Sequence, residues 1–141
     1  MKNQEPTEFH EGEVYRRVDI HNQYGGQRRG GISTPSSKPF VFLFSGKQGA
    51  EYGYEDGQKD DQTYLYTGEG QVGDMVMLRG NRAIRDAAEN DKTIHLFEYE
   101  RPGYVRYVGE MKYTGHHYAE MPDRTGHLRK AIIFELAFKN D

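Results

Sequence analysis

Pro39-Phe-Val-Phe-Leu-Phe-Ser45 is apolar at every position from 40 to 44. A strand alternates its side chains between two faces, so an uninterrupted apolar run of this length predicts a central strand buried on both sides. The segments around it are shorter and more polar. Residues 1–12 are polar and are expected to form a flexible arm, with a single domain over 13–141. Glu13 to Ile20 has strand-like content in Val14, Tyr15, Val18 and Ile20. His21 to Pro39 reads as loop, dense in glycine (GGQRRGG, 25–31). After the central run, a Gly- and Asp-rich connection leads to a short strand at Thr63 to Thr67, in a hairpin-like arrangement with a long loop. Arg79 to Asn90 places Ala83, Ile84, Ala87 and Ala88 on one helical face. Strands are expected at Thr93 to Tyr99, Tyr104 to Lys112 and Leu128 to Phe138. The fold class that follows is α+β: a mostly antiparallel curved sheet or barrel with one or two helices packed outside.

With 141 residues the chain has room for one continuous core and not for a second full catalytic domain. Apolar residues make up 35% and mean hydropathy is −0.96, so the core must be economical. Aromatics at 13% and the β-branched runs argue against disorder. With 17 glycines and 11 tyrosines, the composition suits tight turns joining strands whose rings receive a planar ligand. The absence of cysteine excludes disulfides, thiolate zinc sites and cysteine nucleophiles, and is compatible with a reducing cytoplasm. No apolar run is long enough to span a bilayer, so no membrane partner is expected.

Net charge is −3, yet the acidity is local. Residues 51–74 hold seven acids against Lys59 alone, whereas the rest of the chain has 18 basic and 15 acidic side chains. Arg16, Arg17, Arg28 and Arg29 cluster early, and Arg79, Arg82 and Arg85 near the middle. These clusters offer local positive surfaces able to meet phosphates.

Two motifs stand close together, GYEDG (53–57) and TYLYTGEGQ (63–71). On a strand, Tyr64 and Tyr66 share a face while Leu65 points to the other, so a tyrosine ring can look into a cavity. The nearby glycines, Gly68 among them, let backbone approach a ligand without Cβ interference. A pocket of this kind suits a flipped cytosine, which needs aromatic faces for stacking and an acceptor for its N4 amino group. The carboxylate of Asp56 supplies the acceptor, and Thr67 adds a hydroxyl or backbone contact. An acidic base pocket beside a basic phosphate-binding rim reconciles the two charge patterns.

The order FVFLFSG (40–46), GYEDG, TYLYTGEGQ and GNRAI (80–84) resembles the SRA (SET- and RING-associated, YDG) domain. It is most similar to the short SRA-like domains that precede HNH nuclease domains in modification-dependent restriction endonucleases. The resemblance covers about residues 13 to 138 and implies an SRA/PUA-like barrel that flips 5-methylcytosine or 5-hydroxymethylcytosine out of double-stranded DNA. On matching positions the stacking tyrosines are Tyr54 and Tyr66, the aspartate that reads N4 falls at or next to Asp56, and the following threonine is Thr67. The long basic finger that eukaryotic members insert after the second tyrosine is missing, since only Gln71 to Leu78 lies before GNRAI. DNA contacts are expected from Gln27, Arg28, Arg29, Gln71, Arg79 and Arg82. The resemblance further implies a prokaryotic cytosolic or nucleoid location and a fused or associated HNH-type nuclease, with no cofactor in the reader itself.

Other readings compete. Gly68, Gly70 and Gly73 spell G-x-G-x-x-G, but no helix opens at once and no βαβ units follow, which argues against a dinucleotide site. The six histidines show no HExxH or paired metal spacing. Glu110-Met-Lys112 echoes the E-x-K of metal-dependent nucleases and gives a small magnesium nuclease as one alternative. An RNA- or protein-interaction module on a similar barrel is the other.

Overall fold

In the computed structural model, residues 9–46 and 56–139 are described. They form β1 (Val14–Arg16), α1 (Arg17–Tyr24), β2 (Ile32–Ser33), β3 (Phe40–Ser45), β4 (Gly57–Gln58), β5 (Thr63–Thr67), α2 (Arg79–Arg85), β6 (Thr93–Arg101), β7 (Tyr104–Pro122) and β8 (Leu128–Phe138). The strands make one sheet in the order β2-β3-β6-β7-β8-β5-β4, with β1 added against β7. Every pairing is antiparallel except β3 with β6. A parallel pair needs a crossover, and the chain from 46 to 92 provides it. Among the described residues no helix is long and apolar enough to cross a membrane.

The central strand divides two cores by simple alternation. Phe40, Phe42 and Phe44 face a cluster completed by Ile20, Tyr24, Phe97, Val105 and Tyr107. Val41 and Leu43 face the opposite way, into a larger core with Ile84, Leu96, Ile132, Phe134 and Leu136. Both faces of β3 are therefore covered, as its composition requires. The sheet curls strongly. The Tyr66 hydroxyl, on β5 near one end of the strand order, donates towards the carbonyls of Gly31 at 2.8 Å and Phe44 at 3.2 Å near the other end.

Several sequence expectations are corrected. The strand expected over Glu13 to Ile20 is only three residues long, and the chain turns into α1 where the Arg17 amide bonds the Gly103 carbonyl at 2.9 Å. From there Ile20, His21 and Tyr24 are buried, a helical spacing that the β-branched content of the segment disguises. The loop expected over His21 to Pro39 accordingly contains the end of α1 and the short β2. The helix expected to reach Asn90 stops at Arg85. Three-residue-spaced bonds, Ala87 to Ile84 and Asp91 to Ala88, tighten the following turns, and Asp91 has φ 55°. β3 and β5 are not hairpin partners, since β5 pairs with β8 and β4. β7 runs ten residues beyond Lys112, because its polar second half is held by the ladder with β8 and not by burial. Phe9 makes edge or stacked contacts with the rings of Tyr15, Phe42, Phe97 and Tyr107.

Candidate functional site

Where the curled sheet brings β3 and β5 towards each other, a half-open cavity of about 560 Å³ remains. That volume lies within the ~300–1,000 Å³ range of small-molecule sites. Phe44, Asp56, Tyr66 and Thr67 form its inner part, and Arg17, Arg101 and Arg124 stand along its lining.

Asp56 precedes β4 and turns inward. Its Oδ1 accepts the Thr67 amide at 2.8 Å, and its Oδ2 accepts the Ser45 hydroxyl at 3.3 Å. Burial raises its pKa above the ordinary carboxylate range, while the Thr67 and Ser45 bonds oppose the rise. No cation is paired with it in an ion pair among the described residues. A carboxylate has about four acceptor directions, so further donors can be received.

Tyr64 and Tyr66 share the inner face of β5, and Leu65 is the partly exposed one. Tyr66 is only 3% exposed: its ring forms part of the wall and its hydroxyl is committed to two backbone carbonyls. Gly31 is required by this arrangement, because a Cβ there would stand 2.5 Å from the Tyr66 hydroxyl oxygen. Tyr64 lies deeper and donates to Glu98 Oε2 at 2.7 Å.

The loop after β5 is held by groups that sequence reasoning passed over. Asn81, fully buried in the GNRAI segment, accepts the Glu69 amide at 2.9 Å and donates to the carbonyls of Glu69 and Val76. Glu69 Oε2 in turn accepts the Gly80 amide at 3.0 Å. Gly68 is glycine for the same bracing, since a Cβ would meet Asn81 Oδ1 at 2.6 Å and Phe134 at 3.1 Å. Further along, Asp123 in the β7–β8 turn accepts the Gly73 amide at 2.9 Å as well as Thr125 and His127 amides, and these bonds, Gly73 first, hold its carboxyl far below the usual range. The Arg124 amide bonds the Gln71 carbonyl at 2.8 Å. The turn thereby sets Arg124 beside the cavity.

Of the residues singled out in the sequence, Asp56, Tyr66, Thr67, Gly68 and Gln71 line this one cavity. Tyr54 lies outside the described residues. Gln27, Arg28, Arg29, Arg79 and Arg82 are not in the lining. The Gln27 carboxamide instead braces Thr34, accepting its amide at 2.6 Å, and Arg28 bonds Asn22 Oδ1 at 2.8 Å. Glu110 is paired with Lys139 at 2.8 Å, and no group of three metal-ligating side chains stands together among the described residues. The cations at the cavity, Arg17, Arg101 and Arg124, come from α1 and two hairpin turns far apart in sequence. Arg17 belongs to the early arginine cluster of the sequence, whereas Arg101 and Arg124 were not singled out there.

A family model described as the SRA domain of ScoMcrA-like proteins matches residues 11–139. No curated protein matches the chain. Among solved structures, the sulfur binding and SRA domains of ScoMcrA complexed with phosphorothioated DNA align with a TM-score of 0.73 and 19% identity, covering 92% of this chain and 40% of that one. The type IV phosphorothioation-dependent restriction endonuclease ScoMcrA aligns with a TM-score of 0.74 and 19% identity, over 93% of this chain and 24% of that one. The SUVH5 SRA domain in complex with hemi-methylated CG DNA aligns with a TM-score of 0.67 and 17% identity, over 100% and 96%. The chain thus spans well under half the length of the ScoMcrA chains it matches, and nearly all of the SUVH5 one.

Proposed function

The chain belongs to the SRA domains of ScoMcrA-like type, and from that premise we propose that it is a non-catalytic reader of double-stranded DNA carrying 5-methylcytosine or 5-hydroxymethylcytosine. The base leaves the duplex and enters the cavity between Phe44, Tyr66 and the loop after β5. Asp56 accepts from its N4 amino group, Thr67 and Gly68 contribute backbone, and the Tyr66 ring is a wall. The reader acts in the cytosol or nucleoid as the recognition part of a modification-dependent restriction system, and an HNH-type nuclease does the cutting.

Asp56 is the observation that carries this reading. A carboxylate buried at a cavity wall, with no cation paired to it among the described residues, is costly when empty. An amino group arriving with two N–H donors relieves that cost, and cytosine presents such a group where thymine presents an acceptor. The known complexes of the two relatives, with phosphorothioated and with methylated DNA, support modified duplex DNA as the ligand class.

The test is a binding series at one stated salt concentration with duplexes that are unmodified, 5-methylated, 5-hydroxymethylated or phosphorothioated. The reading expects a cytosine-modified duplex to bind at least tenfold more tightly than the unmodified one. Equal affinity across the series, or preference for the phosphorothioate alone, overturns it. Incubation with magnesium should leave the modified duplex uncut; cleavage would favour the Glu110 and Lys112 alternative.

A further inference from the structure

Arg17 and Arg101 flank the turn between β6 and β7, and both line the cavity. The Arg17 amide is tied to Gly103 at 2.9 Å, so the start of α1 and this turn are one unit. Each guanidinium lies over an aromatic ring. That of Arg17 is 3.8 Å from the Phe44 centroid, and that of Arg101 is 4.0 Å from the Tyr104 centroid.

Arg17 is also fixed from behind. Its Nε donates to His21 Nε2 at 2.9 Å, and a terminal nitrogen reaches the Gln27 carbonyl at 3.4 Å. His21 Nδ1 lies 2.9 Å from the Gly25 carbonyl. A carbonyl only accepts, so Nδ1 carries the hydrogen and Nε2 is left as the acceptor that Arg17 needs. The ring is therefore neutral. Burial, together with the charges of Arg17 and Arg28, lowers the His21 pKa against the opposing Gly25 bond. Burial likewise lowers that of Arg17.

Among the described residues neither guanidinium has a carboxylate partner. Two of the five N–H donors of Arg17 are used inside the protein. A partly desolvated cation that is oriented by a neutral histidine, with no acid paired to it among the described residues, is arranged for an anion from outside. A planar fork on a rigid support matches a phosphate well. An extruded base draws its own sugar-phosphate to the cavity mouth, while Asp56 on the inner wall takes the amino group.

We propose that Arg17 and Arg101 form an anion subsite that holds an internucleotide phosphate of the extruded nucleotide, with His21 as the positioning residue for Arg17. The subsite rests on the base-binding reading above. It places the phosphate contact at α1 and the β6–β7 turn, away from Arg28, Arg29, Arg79 and Arg82.

The experiment is a double-substitution cycle between protein and DNA. In a duplex with one modified cytosine, the phosphate on either side of that nucleotide is replaced in turn by a neutral methylphosphonate. Binding is measured for the unaltered protein, Arg17→Gln and Arg101→Gln, with thermal melting as the folding control. One of the two neutral duplexes should bind the unaltered protein roughly tenfold more weakly. The same duplex should cost Arg17→Gln less than twofold, because the partner is already gone. The salt slope of Arg17→Gln on the unaltered duplex should be shallower by about 0.9. If Arg17→Gln melts early, Arg17→Lys keeps a charge without the fork and should lie between the two. Additive losses in Arg17→Gln, or indifference of the unaltered protein to both neutral duplexes, overturn the subsite. Failure of the underlying reading shows differently, as loss of any preference for modified over unmodified DNA.

Discussion

Two aromatic regions follow one another along the same face of β3 and are built from the same residue types, yet one is closed and the other open. In the closed one, Phe42, Phe97, His95 and Tyr107 are buried with ring against ring, and Phe9 covers them. In the open one, the rings of Phe44 and Tyr104 carry guanidinium groups, and Tyr66 walls a cavity. Their buried titratable groups differ in the same sense. His95 stays neutral, its pKa lowered to about 4 by burial, with Nδ1 at 2.8 Å from the Tyr107 hydroxyl and no partner for Nε2 among the described residues. Asp56 keeps polar partners and room for more. The closed region holds the fold together, and the open one keeps its polar capacity for a ligand.

Substitutions should separate the two. Phe97→Ala in the closed cluster should cost about 3–5 kcal/mol of stability, since a fully buried ring leaves a cavity. Urea unfolding measures this, and a loss below about 1 kcal/mol would mean the cluster is not a core. His95 has the next largest effect, and it appears with pH. Its folded pKa is depressed, so its contribution is intact above the unfolded value of about 6.5 and is lost as pH falls towards 4. Stability should drop by up to about 1.4 kcal/mol per pH unit across that window. His95→Gln, which cannot titrate, should flatten this slope, and an unchanged slope would place the proton elsewhere.

Asp56→Asn tests the open region and should behave oppositely. The folded pKa of Asp56 is raised, so its contribution is present below the unfolded value and declines as pH rises through the folded one. The amide removes that decline. Stability near neutral pH should therefore hold or rise, while affinity for modified duplex falls roughly tenfold and discrimination between cytosine and thymine narrows, as loss of one charged hydrogen bond implies. Parallel loss of fold and binding would make Asp56 a structural residue. The smallest effect is expected at Arg28 and Arg79. Neither lines the cavity, so alanine at either should change modified-duplex affinity less than twofold in a gel-shift titration.

Legibility in the sequence followed how local the determining pattern was. β5 and β8 were readable to the residue, and β3 to within one, because alternation or continuous apolarity fixes a strand from its own side chains. The second half of β7 was not, since Thr114, His117, Tyr118 and Glu120 are exposed and only the ladder to β8 makes them a strand. α1 was hidden because Val14, Val18 and Ile20 carry strand propensity while the burial of Ile20 and Tyr24 depends on a distant aromatic cluster. At the cavity, Asp56, Tyr66, Thr67 and Gly68 lie in two neighbouring motifs and were found together. Arg17, Arg101 and Arg124 reach it through the pairing of β6 with β7 and of β7 with β8, and Asn81 through a buried network, none of which has a short-range signature.

The central claim is that a modified cytosine leaves the helix and enters the cavity beside Asp56 and Tyr66. It is most directly tested with 2-aminopurine placed next to the modified cytosine in a duplex and its fluorescence followed on saturation with protein. Extrusion unstacks the neighbour, so emission should rise several-fold with the modified duplex and stay flat with the unmodified one. Saturable binding to the modified duplex with no change in emission would contradict the account.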